Sequence, residues 1–585
     1  MSKVEQLITE HIDIWTSAIL AKSTAGRGSS KRYELYGIKK LRELILELAV
    51  RGKLVPQDIN DEPASVLLER IAAEKAKLIK EGKVKKSKPL PEVGEDEKPF
   101  ELPQGWEWCR LQDVGYDWGQ KKPDSSFTYI DVGSINKELG LIGEASVLNA
   151  EEAPSRARKL VKKGTVIYST VRPYLLNIAV VDQEFVPEPI ASTAFAIIHP
   201  LKGMCSSFIY RYLRSPSFVS YVESCQTGVA YPAINDKQFF MGLIPVPPAN
   251  EQQRIVAKVD ELMLLCDQLE QQTETSIDAH ATLVEVLLAT LTDSANANEM
   301  AQNWARVSEH FATLFTSEQS IEALKQTLLQ LAVMGKLVPQ DPDDEPAAVL
   351  LEKIAAEKAQ LIKDKKIKPQ KLLPPIAEEE QLFDLPPGWE WCRLDDICNG
   401  ITSGSTPPKS FFSEDKGVPY LKVYNIKNQQ IDFEYKSQFV EENYHASTLK
   451  RSLLIPGDVV MNIVGPPLGK IAIIPSTYPE WNCNQAIVIF RPIVSELNKY
   501  IYTYLISGMF LDKIELIGTA GQDNISVTKS RSILLPTPPI LEQHRIVAKV
   551  DELMKICDQL KANLQQSQET QVQLTDALVD QALVQ

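Results

Sequence analysis

The sequence predicts an α+β protein: two β-rich domains separated by long antiparallel coiled-coil helices, arranged as a pseudo-twofold tandem repeat. Three observations carry this expectation. First, EQQRIVAKVDELMLLCDQL, beginning at Glu251, returns as EQHRIVAKVDELMKICDQL at Glu542. The two copies differ only at Gln253/His544, Leu264/Lys555 and Leu265/Ile556. Second, their apolar residues fall three or four apart: Ile255, Val259, Leu262, Cys266 and Leu269, then Ile546, Val550, Leu553, Cys557 and Leu560. That spacing lies on one helix face, close to a coiled-coil seam. Third, the segments before these helices hold short β-branched runs (TVIYSTV, NIAVV, AFAII; DVVMNIV, KIAIIP, AIVIF) broken by Gly, Pro and Asn turns. Near-identity on both helix faces exceeds what core packing fixes, so the two stripes are expected to touch each other and the polar faces to meet identical partners.

Taken in order, residues 1–37 read as a polar helical lead-in broken by the loop STAGRGSSKRYELYG. Ile38 to Val50 has helical spacing and stops at Gly52 in an RGKLVPQ turn. A second helix is expected from about Pro63 to Lys80, then an acidic, proline-containing linker from Pro89 to Pro99. All of this recurs: ELAVRGKLVPQDINDEPASVLLERIAAEKAKLIK as QLAVMGKLVPQDPDDEPAAVLLEKIAAEKAQLIK, and FELPQGWEWCRL as FDLPPGWEWCRL. Trp106 recurs as Trp389 and Arg254 as Arg545, offsets of 283 and 291, so the second insert is eight residues longer. The chain is a tandem duplication with a near-identical frame and divergent inserts. The inserts still share landmarks: YIDVGSI with YLKVYNI, KKGTVIYSTVRP with IPGDVVMNIVGP, Ile234 with Ile525, and IPVPP with LPTPP. Short helices are expected around Phe208–Leu213 and Lys499–Ile506. Strands kept and loops changed is the pattern of a scaffold whose specificity lies in its loops.

Length, composition and charge narrow the classes. A chain of 585 residues holds roughly three or four domain-sized units. No apolar run approaches the ~18 residues of a membrane span, and the start is polar rather than signal-like, so a cytoplasmic protein without a membrane partner is expected. Eight cysteines without C-x-x-C spacing read as buried free thiols. A net charge of −14 argues against a lone, strongly basic nucleic-acid binder. The search for chemistry is nearly empty. GPPLGKI at Gly465 is one residue short of a phosphate-binding loop and reads as a hairpin turn. The six histidines lie in unrelated contexts. Asp343, Asp364 and Lys366 suggest a nuclease-like cluster only if Asn60, at the matching place in the first copy, is ignored. No catalytic residue and no metal site is expected.

The frame resembles the specificity subunit of type I restriction–modification systems. The resemblance rests on PP-x-x-E-Q-x-R-I-V-x-K-V-D-E-L-M at both long helices, G-W-x-W-x-x-L at both domain openings, and the duplicated LAV-x-GKLVPQ. The STAGRGSS…LYGIKKLRELILELAVRGKLVPQD region points to the type IB group. The resemblance covers essentially the whole chain. It implies two target-recognition domains, each reading one half of a split, asymmetric site in double-stranded DNA. It also implies two modification (methyltransferase) subunits that bring S-adenosylmethionine, and restriction (translocase/nuclease) subunits that bring ATP and Mg2+, with no cofactor in this chain. The expected segments are 1–99 (N-terminal helical region and linker), 100–249 (first recognition domain), 250–382 (central helical region and linker), 383–540 (second recognition domain) and 541–585 (C-terminal helix). A helix of about 40 residues rises roughly 60 Å, against roughly 34 Å between half-sites one DNA turn apart, so a pair of them suits a ruler.

Loop residues able to reach bases or phosphates are the DNA-contact candidates. In the first insert these are Lys121, Lys122, Ser125, Ser169, Thr170, Arg172, Tyr231 and Asn235. In the second they are Ser403, Ser405, Thr406, Lys409, Asn462, Lys470, Gln522 and Asn524. An ordinary turn role competes at every one of them, because each insert has about as many acidic as basic residues. Glu251, Gln252, Arg254 and Lys258, with Glu542, Gln543, Arg545 and Lys549, are the partner-docking candidates. Asn250 with Gln253 fits a capping box that Leu541 cannot copy. Two other classes stay open: a freestanding enzyme, and a non-DNA interaction scaffold built on coiled-coil arms.

Overall fold

The computed structural model describes residues 3–21, 33–85, 90–228, 231–295, 297–465, 467–514, 516 and 524–584. It divides into two units, residues 1–276 with 566–585, and residues 277–565. The STAGRGSS loop and Gln522 lie outside the described residues.

In the first unit, helix α1 (Tyr36–Val50) ends where Gly52 takes φ +67; Gly52 N and Lys53 N bond back to the carbonyls of Ala49 and Leu48. A Cβ at Gly52 would strike Pro103, so the turn needs glycine twice over. Helix α2 (Ala64–Lys80) follows, with Pro63 just before its first turn. Its Leu67 and Ile71 join Val50 in the core beneath the domain. That domain opens on β1 (Glu107–Arg110) and closes on β2 (Leu243–Val246), paired antiparallel from Glu107↔Val246 to Arg110↔Leu243. Between them a six-stranded and a four-stranded sheet face each other. In the six-stranded sheet, the hairpin strand Val166–Ser169 alternates as strand geometry dictates. Ile167 points to the inter-sheet core, while Val166 and Tyr168 point to the helices Ser206–Leu213 and Pro216–Cys225. The helix Pro216–Cys225 was not expected from the sequence.

The second unit repeats the plan. Helices α3 (Glu318–Val333) and α4 (Ala347–Lys363) precede β3 (Glu390–Arg393), which pairs with β4 (Leu534–Thr537) in the same register as β1 with β2. Two four-stranded sheets lie between. Val460, Ala472 and Ile489 fill the space between the sheets; Val459, Met461 and Phe490 face the helices, including Asn498–Ile506.

The two long helices are α5 (Ala249–Thr292, 44 residues) and α6 (Ile540–Val584, 45 residues). Each starts at the end of its own domain and finishes in the other unit. The expectation that the two repeated stripes simply touch each other is corrected. In the second unit the stripe is shared out: Ile546 and Val550 bury against Leu329, Val333 and Trp389. Cys557, with Leu553 and Leu560, joins Ile321, Leu324 and Leu328 of α3 and Val284, Leu288 and Leu291 from the end of α5. The seam is more than a pair of helices, because α3 presents its own apolar face to the start of α6 and Val307 and Leu314 join from two short helices. The capping contrast is also corrected. α5 begins at Ala249, so Asn250 lies inside the helix, where it bonds Asp61 (3.0 Å).

Each long helix is fixed at its start by one buried node. The Trp106 indole N–H donates to Glu251 (3.0 Å), and Gln57 spans from the Gly52 carbonyl (2.5 Å) to the same carboxylate (3.3 Å). In the second unit Trp389 and Gln340 treat Glu542 alike, at 3.0 and 3.1 Å. Arg254–Asp61 and Arg545–Asp344, both 2.6 Å, brace the same junction. The stretch expected to be a plain linker is tied down as well: Arg110, buried, forks onto Glu97 (2.7 and 2.8 Å), and Arg393 onto Glu380 (3.1 and 3.0 Å). The guanidinium holds the Glu97 carboxyl down at about 2.

Burial pushes the Glu251 carboxyl above its ordinary value, although Trp106 and Gln57 pull the other way. Glu251→Ala strands the indole N–H and should lower the unfolding free energy by about 2 kcal/mol in urea, whereas Glu251→Gln keeps an acceptor. Because the folded value is raised, the carboxyl's favourable contribution is complete below the ordinary range near ~4.3. It is lost as pH rises through the raised value. The wild-type stability relative to Glu251→Gln should therefore fall across that window in urea melts, and a flat difference would contradict the burial argument.

Candidate nucleic-acid interface

Each domain projects one hairpin tip braced by a second loop. In the first domain the strands Val166–Ser169 and Ile178–Val180 are joined through residues 170–177; in the second, Val459–Asn462 and Ile471–Ile473 are joined through 463–470. Val171 bridges Ala233, and Val464 bridges Asn524. Ile234 N donates to the Thr170 carbonyl (3.0 Å) and Ile525 N to the Ile463 carbonyl (2.9 Å), which explains why these isoleucines align between otherwise unlike inserts. The support of the tip is common to both domains. Its side chains are not: Arg172 with Tyr231 in one, Gly465 with Asn524 in the other.

The candidate residues separate by burial. Ser169 and Thr170 are buried and donate to the Val171 and Ala194 carbonyls (both 2.9 Å). Asn462, fully buried, accepts from Lys470 N (2.6 Å) and donates to the Pro467 carbonyl (2.9 Å). These three build the hairpins and are withdrawn as DNA contacts, since their polar atoms are used inside the fold. Arg172 and Tyr231 come together at the first tip, the guanidinium 4.6 Å above the ring. Asn235 caps Asp236–Met241, and Asn524 accepts from Gly465 N (3.2 Å). Lys121 is engaged by Asp124 (3.1 Å) and Glu188 (2.9 Å). Lys122, Ser125, Thr406 and Lys409 are exposed, whereas Ser403, Ser405 and Lys470 are half-buried. Arg451 donates to the Ser405 hydroxyl at 3.1 Å.

Half of the residues expected on the docking face are turned inward. Glu251, Gln252, Glu542 and Gln543 are buried. The two glutamates belong to the tryptophan nodes. Gln252 accepts from Cys205 N (2.8 Å) and donates to the Pro247 carbonyl (3.1 Å), while Gln543 donates to the Pro538 carbonyl (2.9 Å). Arg254 and Arg545 hold Asp61 and Asp344, and Lys258 and Lys549 reach Glu261 and Glu552 (both 3.0 Å). The same internal bonds hold both helix starts.

One cluster was missed. Lys427 lies 3.6 Å and Lys436 5.1 Å from the centre of the Tyr435 ring, and Lys422 and Lys436 sit 6.0 and 5.9 Å from that of Tyr424. Left-handed Asn428 and Gln429 turn the chain back to assemble it. Comparing the copies gives a signal, since Asp131, Gly133 and Asn136 stand in the first where Lys422, Tyr424 and Lys427 stand in the second. Among the described residues no group of three or more His, Cys, Asp or Glu could hold a metal. No described helix is long and apolar enough to cross a membrane.

A near-identical frame displaying two unlike loop clusters defines a duplicated recognition protein. The family profile described as "Type I restriction modification DNA specificity domain" matches residues 103–279 and 386–569. The "Type I restriction enzyme EcoAI specificity subunit" of Escherichia coli is 44% identical over 99% of this chain and 100% of its own length. The corresponding EcoEI subunit, also from E. coli, is 43% identical over the same shares. A solved chain from work described as the "structural basis underlying complex assembly and conformational transition of the type I R-M system" shares the fold. Its TM-score is 0.52 at 24% identity, over 83% of this chain and 99% of that one. The chain belongs to the type I restriction–modification specificity-subunit family and is most similar to the IB group. Members of this family are the non-catalytic, DNA-recognition components of their complexes.

Asn462→Ala should cost about 2 kcal/mol of stability in denaturant melts, because it releases a backbone donor and a carbonyl inside the hairpin. Lys409→Ala, on an exposed turn of the same domain, should stay within about 0.5 kcal/mol.

Proposed function

We propose that the chain reads a bipartite, asymmetric DNA site, one half-site for each sheet-rich domain, and that the long helices set the spacer and dock two modification subunits. The observation that carries this is one frame built twice, node for node, around two different hairpin tips. A frame repeated with its bonds intact suits two equivalent partner seats; tips that differ suit two unlike half-sites. A 44-residue helix rises about 66 Å, enough to cover roughly two DNA turns of about 34 Å. With the buried residues of the helix starts consumed internally, the docking face would lie on repeated surface positions such as the Lys258–Glu261 and Lys549–Glu552 pairs and Gln268/Gln559. Methylation with S-adenosylmethionine, and ATP- and Mg2+-dependent cleavage, belong on this reading to the modification and restriction subunits. The complex would work on cytoplasmic DNA.

Mobility-shift selection from a random duplex pool, using the chain with its modification partner at low salt, should enrich one split site. Enrichment of no sequence would overturn the DNA reading and favour a non-DNA scaffold. Exchange of residues 104–246 for a relative's domain should replace one half-site and leave the other.

The helix ends supply a second test. Lys53 Nζ donates to the Leu583 carbonyl in the first unit, and Lys336 Nζ to the Thr292 carbonyl in the second, both at 2.6 Å. The end of α6 therefore occupies beside the first frame the place that the end of α5 occupies beside the second. A circular permutant with the original termini joined, opened between Asp293 and Asn303, should retain site-specific binding. An opening just before the helix Ala297–Glu309 is preferred, since Asn303 there is buried and bonded to Ser294 (2.9 Å). A folded permutant unable to bind the site would exclude this closure.

A further inference from the structure

We propose that Arg172 is a specificity-determining residue of the first domain and reads a guanine edge in the major groove; this rests on the DNA-recognition reading above. The first ground is backbone geometry. Arg172 lies in the left-handed region (φ 50, ψ 57), as does Leu176 at the other end of the same turn (φ 52, ψ 39). Non-glycine residues adopt it at a cost and persist there where the surroundings impose it, commonly at functional sites. The matching place in the second domain holds Gly465, with φ 77. Glycine would serve the hairpin better at both places, so the fold gives no reason for an arginine at 172.

The second ground is the state of the side chain. The backbone around it is pinned, Arg172 N donating to the Pro232 carbonyl (2.8 Å) and Leu175 N to the Arg172 carbonyl (3.0 Å). The guanidinium lies over the Tyr231 ring, 4.6 Å from its centre, and Tyr231 is itself 68% exposed. Among the described residues the guanidinium has no hydrogen-bond or ion-pair partner, whereas Arg110 and Arg254 of the same unit are both held by carboxylates. A planar fork of N–H donors, held over a ring and without a hydrogen-bond partner among the described residues, is the group that matches O6 and N7 of guanine. The third ground is the surface around it. Val171, Tyr174 and Tyr231 are exposed on the tip, a surface suited to base edges and thymine methyls, where a phosphate track would gather cations.

The test uses the full chain with its modification partner and a duplex pool randomised in both half-sites, compared for wild type, Arg172→Gly and Arg172→Lys. Arg172→Gly places there the residue found at the matching position of the second domain, so the thermal midpoint should not fall. Both variants should lose guanine preference at one base pair of one half-site, by roughly tenfold or more. The other half-site should be unchanged. Lysine, which keeps the charge and lacks the fork, should not restore the preference. Unchanged selection would overturn the proposal. So would uniform weakening across all sequences with a shallower salt dependence, the signature of a phosphate contact. A wild type that selects a split site while the variants match it defeats only this inference; a wild type that selects nothing defeats the DNA reading and this inference with it.

Discussion

Everything in each unit is referred to one buried carboxylate. Glu251 receives the Trp106 indole and the Gln57 amide, and Glu542 receives those of Trp389 and Gln340. The tryptophan sits just ahead of the first domain strand, the glutamine comes from the glycine turn after the frame helix, and the glutamate opens the long helix. Three segments far apart in sequence are thereby fixed at one point. A buried carboxylate is costly to desolvate, and here both oxygens accept a hydrogen bond, one from the indole and one from the glutamine amide. Phe208 and Tyr500 pack edge-on against the two tryptophans, at 6.4 and 6.5 Å. The direction in which each helix leaves its domain is set by this bond.

Such a node allows the rest of the domain to vary. The first and last strands pair in the same register in both copies, so an insert is accepted whenever its ends meet β1 and β2 or their counterparts. Inside that closure the sheets differ in strand number and the loops in length, while the tip bridges Val171–Ala233 and Val464–Asn524 persist. Support is repeated; presentation is free. On the proposed reading, this is how a chain carries two specificities on one frame.

The frame was legible in the sequence because it was written twice. Helices from Tyr36, Ala64 and Ala249 fall where three-to-four spacing, a proline and a glycine turn put them, and the hairpin reading of GPPLGKI stands, with the carboxamide of Asn462 closing it. The site was legible only in part. Ser169, Thr170 and Asn462 have the chemistry of base-contacting residues, but each is buried beside its tip and bonded to a backbone carbonyl, which the local sequence does not reveal. The polar residues opening the long helices misled for the opposite reason. Their near-identity was real, yet it recorded an internal bond repeated twice.

What the sequence alone determined is the duplication, the α+β class and the family, since near-identical segments of this length at two offsets have no other source. What the tertiary structure decided is which copies of a side chain are spent inside and which remain outside. Burial is a property of the assembled unit: Glu251 is engaged only because Gln57 and Trp106 arrive from 194 and 145 residues away. The turn that carries Arg172 is locked by a loop some sixty residues downstream, whose Tyr231 lies under the guanidinium. Contacts at such separations leave no periodicity in the chain to be read, and they alone sort the polar residues into frame and surface.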